Sequence, residues 1–212
     1  MPVTIRSFAT VLPPKGEFSI SGFDLKSYPV APKTYLDRAA ALALAACGLA
    51  LERAEMQGPL GDEVGLCLGT QFGDVQTMAS FETKLAESGA KTVSPLLFSH
   101  SFFNSPAAIL SIEWGIRGHH APFCGLRSGL DAVEVGRDVL LLGQAERMIC
   151  GAVEARSAAR ELSGEEESGE GAVFLVLERD GEGQPVNEWL ENSREVVGSW
   201  GALGELMKRT KP

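Results

Sequence analysis

Several classes of protein are excluded by what this sequence does not contain. No stretch approaches the roughly 18 consecutive apolar residues of a membrane-spanning helix, and Met1–Arg6 has no charged segment followed by an apolar one. The chain therefore reads as cytoplasmic, with no membrane partner. Its four cysteines, Cys47, Cys67, Cys124 and Cys150, form no C-x-x-C pair and no Cys/His cluster at zinc-ligand spacing. No metal and no other cofactor is expected, and the thiols should be reduced. Basic residues are outnumbered 19 to 28, giving a net charge of -9, so a nucleic-acid backbone or an anionic membrane surface would repel the body.

What remains is 212 residues, 44% of them hydrophobic, enough for one or at most two globular domains with a sizeable core. Aromatics make up only 7% while glycine occurs 24 times, and the apolar content is carried by Ala, Leu and Val. That mix suits helices packed closely on a buried sheet, an acidic α/β protein.

Val3 to Leu12 reads as a strand. Thr34 to Met56 is the clearest helix, with Leu36, Ala39, Ala40, Leu42, Ala46, Leu49 and Leu51 on a broad apolar face and Asp37-Arg38 in its first turn. Val64 to Gly69 is apolar on both faces, as a central buried strand would be, which makes Cys67 a core thiol. Helices are predicted over Val75–Ser88 and Ser105–Trp114, each stopped by a glycine. Between them, Val93 to Asn104 carries large apolar residues too irregularly spaced for a simple amphipathic element. A helix over Ser128–Gly143 and strands over Met148–Val153 and Ala172–Glu178 complete the pattern, with Cys150 again in the core.

Glu161 to Glu170, half of it Glu, reads as a solvated loop. Gly169-Glu170-Gly171 leads into a strand and not a helix, so it lacks the helix N-terminus that a dinucleotide phosphate needs. The organisation expected is a domain over 1–183 and a C-terminal extension over 184–212, with a short strand at Glu195–Trp200 and a helix at Leu203–Lys208.

A run of motifs in fixed order carries more information than any one of them. Asp37-Arg38 opening an Ala/Leu-rich helix is followed by Val64–Thr70, Val93-Ser94-Pro95, Asn104 and Trp114–Gly118. Ser128-Gly129-Leu130, Gly143–Glu154 and Gly169–Ala172 then follow. With these the chain resembles the N-terminal half of the β-ketoacyl synthases, the condensing enzymes of fatty-acid and polyketide synthesis. The resemblance runs from about residue 3 to 180, shortened between Glu154 and Gly169. It implies a thiolase-like half fold of class α/β, a mixed sheet with helices on both faces.

Such enzymes hold the acyl chain on a Cys thiolate at a helix N-terminus, where the helix dipole favours the anion. The family turn is T-A-C-x-S-G, and the matching stretch here is Phe123–Gly129. Anchoring on Ser128-Gly129 puts Leu126 at the nucleophile position, and counting from Gly118 puts Arg127 there. Neither side chain is a nucleophile. Cys124, two or three residues upstream, is the remaining candidate, against its reading as a buried or half-buried structural thiol. A shift of about 1 Å already costs a large factor in rate. Ser128 sits in G-x-x-S-G, where a serine nucleophile elbow needs G-x-S-x-G. The family's two further catalytic residues, usually His, come from its second half, whereas His100, His119 and His120 all precede the turn. His119-His120 reads as a polar pair where a loop enters a strand, and His100 has no acidic orienter nearby in sequence.

One half of such a fold leaves apolar surface that a partner would cover. The resemblance places Gly118–Phe123, with His119 and Phe123, at the family's dimer contact. It places Leu97, Ser101, Phe102 and Phe103 in the stretch that closes the acyl tunnel in chain-length factors, although a plain packing role competes for each. The expectation is a non-catalytic subunit that pairs with an active β-ketoacyl synthase, or with itself, and meets acyl carrier protein only through that partner. Shortened chain-length factors of aryl-polyene-type systems are the nearest likeness. Two alternatives are a small acyltransferase or thioesterase using Cys124, and a homodimeric acyl-binding module.

Overall fold

The computed structural model describes residues 2–33, 35–158 and 169–193. The strand and helix expected beyond residue 194, and 161–168 of the Glu-rich stretch, lie outside the described residues.

Arg38–Arg53 (α1) is helical because an Ala/Leu-rich run meets a start signal: the Asp37 carboxylate accepts from the Ala39 N–H at 2.9 Å. The helix was expected from Thr34 with Asp37 inside its first turn. Asp37 is instead the N-cap, held in extended backbone, because its side chain must fold back over the first free N–H groups. Other helices are α2 (Val75–Ser88), α3 (Pro95–Ser99), α4 (Ser105–Trp114), α5 (Ser128–Leu141) and α6 (Val186–Ser193). The irregular stretch 93–104 thus contains one five-residue helix, begun by a proline whose missing N–H costs nothing at that position.

Six strands form one sheet: β1 (Val3–Val11), β2 (Val64–Thr70), β3 (His120–Cys124), β4 (Arg147–Glu154), β5 (Gly171–Arg179) and β6 (Gln184–Pro185). Their order is β3-β2-β4-β5-β1-β6, parallel across β3-β2-β4 and antiparallel elsewhere. Helices α1 and α4 cover one face, against Leu66, Ile149, Val153, Phe174 and Val176. Helices α5 and α6 lie over the other, where Cys67, Met148, Cys150, Leu175, Trp189 and Leu190 are buried. This is the mixed α/β half fold, helices on both faces, and Cys67 and Cys150 are core thiols. Each fully buried Leu, Ile or Phe contributes roughly 1.5–3 kcal/mol.

Strand β1 serves both faces in a way its alternation does not announce. Its register against β5 shifts between Ile5 and Ser7. Val3 and Ile5 belong to the α5 side, whereas Ala9 and Val11 belong to the α1 side. The extra residue of a β-bulge reverses which side chains face which way. Ser7, just past the reversal, donates to the Ala50 carbonyl of α1 at 2.8 Å.

Helix α5 approaches β2 backbone to backbone. A Cβ on Gly69 would stand 2.3 Å from the Ser128 carbonyl carbon, so only glycine lets the N-terminus of α5 settle there. Away from the sheet, the middle of α5 carries Asp131, Glu134, Arg137 and Asp138, none of them buried. Uncovered apolar surface is therefore not spread over this helix. Among the described residues, large exposed apolar side chains stand at its ends (Leu126, Leu141 and Leu142), across the α2–α3 region, and singly at Phe18 and at Ile112 of α4.

Candidate functional site

Because β2, β3 and β4 run the same way, their C-terminal ends bring Thr70, Cys124 and Glu154 to one edge of the sheet. Glu154 is buried and accepts from the Thr70 hydroxyl at 3.3 Å, from the Gln71 N–H, and from the Phe72 N–H at 3.3 Å. Thr70 Oγ1 accepts in turn from the Gly73 N–H at 2.9 Å. One carboxylate thus pins the β2–α2 loop with charge-assisted bonds. The motif ending in Glu154 was visible in the sequence, but the residue's role was not. A lone acid closing an otherwise apolar strand is the signal that could have found it.

The turn after β3 is equally ordered. The Gly125 N–H donates to the Thr70 carbonyl at 3.0 Å, and the Ser128 N–H donates to the Gly125 carbonyl at 3.2 Å. The N-terminus of α5 therefore faces this turn, as the resemblance implies. Leu126 is 55% exposed there, and Arg127 lies 3.8 Å from Glu134. Neither offers an atom that attacks a thioester. Cys124 is exposed, not the buried or half-buried thiol of the structural reading, because it ends an edge strand; its Sγ lies 3.5 Å from the Gln71 carbonyl. His120 opens β3, so His119 and His120 stand at the far end of the strand from Cys124, about 13 Å away at ~3.3 Å per residue. His100 packs edge-on against Tyr35, ring centroids 5.3 Å apart.

The residues expected to close a tunnel do not share one face. Leu97 is half-buried and Ser101 is buried, its hydroxyl donating to the Phe98 carbonyl at 2.8 Å. Phe102 and Phe103 are 47% and 44% exposed. Phe98, not singled out in the sequence, is 51% exposed and stands edge-on to Phe102 at 5.0 Å. Phe123 on β3 packs towards the α5 side of the core.

Under the start of α2 lies a buried polar knot. Asp37 accepts from the Thr77 hydroxyl at 2.6 Å, and Thr77 Oγ1 lies 3.1 Å from the Tyr35 hydroxyl. Burial, together with the neighbouring Asp37 carboxylate, pushes Asp74 up to about 9, so it is protonated at neutral pH. Beside the knot opens a cavity of about 410 Å³ lined by Tyr35, Asp37, Arg38, Gln76, Thr77 and Arg156 among others.

Glu170, expected in a solvated loop, is buried instead. It pairs with Arg38 at 2.8 Å and accepts from the Ile20 N–H at 2.7 Å. Burial opposes its charge, but these donors outweigh burial and hold the carboxyl below the ordinary range. Composition could not separate this glutamate from its neighbours. Its place next to β5 does. Among the described residues no group of three or more metal-ligating side chains comes together, and no helix is long and apolar enough to cross a membrane.

Comparison with known proteins bears on this geometry. Residues 13–169 match the family described as β-ketoacyl synthase, N-terminal domain. The 3-oxoacyl-(acyl-carrier-protein) synthase 2 of Mycobacterium tuberculosis is 30% identical over 98 residues, 46% of this chain and 24% of that protein. That of Synechocystis sp. is 26% identical over 95 residues, 44% of this chain and 23% of that protein. The match thus spans about a quarter of the length of these curated relatives. The ishigamide ketosynthase/chain length factor superposes with a TM-score of 0.74 at 19% identity, over 87% of this chain and 64% of that one. A ketosynthase structure solved with its type II polyketide acyl-carrier protein gives 0.71 at 21% identity, over 90% of this chain and 64% of that one. These structural likenesses show the fold.

Proposed function

Because the chain belongs to the β-ketoacyl synthase N-terminal domain family, we propose that it is a non-catalytic, chain-length-factor-like subunit that pairs with an active synthase and shapes the end of its acyl tunnel. The observation that carries this reading is the turn at the N-terminus of α5. Its backbone is hydrogen-bonded and its helix dipole is in place, yet the nucleophile position holds Leu126 or Arg127. A site kept in shape without its reacting atom fits a structural role better than a catalytic one. The net charge of -9 supports the same division of labour, since an acidic acyl carrier would dock on a more basic synthase partner.

Leu97, Ser101, Phe102 and Phe103 are assigned to the tunnel end, and His119 and Phe123 to the partner side of β3. The domain boundary near residue 183 belongs to the same reading. The test is co-expression with β-ketoacyl synthases encoded alongside the chain. A stable complex whose products lengthen with Phe102→Ala is expected; a soluble monomer that never co-elutes with such a synthase would overturn it. Incubation with acyl-CoA should leave the intact mass unchanged. A stable acyl adduct that disappears in Cys124→Ala would establish the acyltransferase or thioesterase reading instead.

A further inference from the structure

Phe102, assigned above to the tunnel end, is a half-exposed aromatic on a part of the chain with almost no buried apolar support. None of the residues of α3 is buried, and in α2 only Thr77 is. The Phe102 ring forms a T-shaped pair with that of Phe98, centroids 5.0 Å apart at 89°, and Phe98 in turn lies against Phe81 of α2 at 5.5 Å and 52°. Three rings from α2, α3 and the turn after α3 thus form a relay that ends at Phe102. Ser101, bonded to the Phe98 carbonyl, fixes the backbone between the last two.

Phe103 is held from the opposite direction. Gly73 has φ 57°, and a Cβ there would stand 2.7 Å from Phe103 Cα. The backbone of Phe103 therefore rests on the same loop that Glu154 pins. The backbones of both neighbouring phenylalanines are held, Phe102 through its carbonyl, which accepts from the Ser105 N–H at 2.9 Å, but the direction of the Phe102 ring is left to the ring contacts.

We infer that Phe81 is a positioning residue for Phe102: acting through Phe98, it sets the direction in which the Phe102 ring projects and so the length of acyl chain the tunnel end accepts. The second clause rests on the proposed function; the first concerns the chain by itself. Offset and edge-to-face geometry gives each ring pair a preferred angle, and removing the first ring frees the second to rotate. Phe81 acts through Phe98 and is a positioning residue, not a catalytic one.

The test uses the full chain carrying Phe102→Trp, read against the parent chain with its own tryptophans subtracted. Adding Phe81→Ala should lower the anisotropy of the new indole and move its emission to the red. Phe81→Tyr, which keeps the ring, should leave both unchanged. Unchanged anisotropy with Phe81→Ala would overturn the inference, as would a loss reproduced in full by Phe81→Tyr. In the complex with a synthase, Phe81→Ala should change the ratio of longer to shorter products by roughly two- to tenfold, the range one aromatic contact carries. The change should follow the direction of Phe102→Ala and add nothing to it; a fully additive effect would overturn the relay. If Phe102→Ala itself leaves products unchanged, the tunnel reading fails, and the anisotropy result decides the relay alone.

Discussion

Helices α1 and α2 are of similar length, sixteen and fourteen residues, and their fates differ. Eleven residues of α1 are buried, against one in α2. The first is held by the core it covers, as most helices in proteins are. The second is held at its beginning, by Thr77 on Asp37, by the Met78 N–H on the Asp74 carbonyl, and by the loop that Glu154 gathers. One region supplies stability. The other spends little on it and keeps Met78, Leu85, Leu96, Phe98, Phe102 and Phe103 exposed. A large apolar surface left on a polar anchor is what a recognition element needs.

This contrast is open to measurement. Phe174→Ala, in the centre of the sheet, should cost about 3–5 kcal/mol and lower the melting temperature by roughly 10 °C or more. A small change would mean that the sheet is not where stability resides. Glu154→Gln keeps the shape but weakens charge-assisted bonds to the β2–α2 loop, at about 1.5–3 kcal/mol. Limited proteolysis should then cut first between α2 and α4, and cleavage elsewhere would count against the loop as the anchor.

Asp74→Asn has a pH signature. Because the folded carboxyl titrates near 9 while an unfolded one titrates near 3.9, the folded state binds the extra proton in between, and stability falls as pH rises from about 4 to about 9. The variant removes that slope, so thermal melts should show it gaining on the parent across this window. Parallel curves would show that Asp74 is charged in the fold. Leu96→Ser, on the exposed side of α3, should change stability by less than about 0.5 kcal/mol, and a larger loss would mean that α3 is core after all.

Much of this organisation is legible in the sequence where a pattern is local. The apolar run Val64–Gly69 of β2 and the glycine stops of α2 and α4 follow from residues within a few positions of each other. The ordered motifs carry the family. The rest depends on what meets across the fold. Glu170 reads in the sequence like the other glutamates of its stretch until Arg38, 132 positions away, arrives beside it. The reversal in β1 needs a partner strand to define it, and Asp74 is an ordinary aspartate until folding buries it and sets Asp37 beside it. At the candidate site, the missing nucleophile was readable, whereas the pinning carboxylate of Glu154 and the ring relay through Phe98 required coordinates.

Strand β3 pairs only with β2 among the described residues. Leu66 donates to the His119 carbonyl and Gly125 donates to the Thr70 carbonyl, so the odd-numbered residues of this segment point their backbone groups at β2. The even-numbered ones, His120, Pro122 and Cys124, point outwards, and Pro122 has no N–H. The open rim therefore presents three carbonyls but only two donors, with the gap in the middle. A strand joining there must place its own acceptor elsewhere or leave it to water, so backbone pairing alone grips loosely and tolerates few registers. Whatever settles on this rim has to be chosen by its side chains.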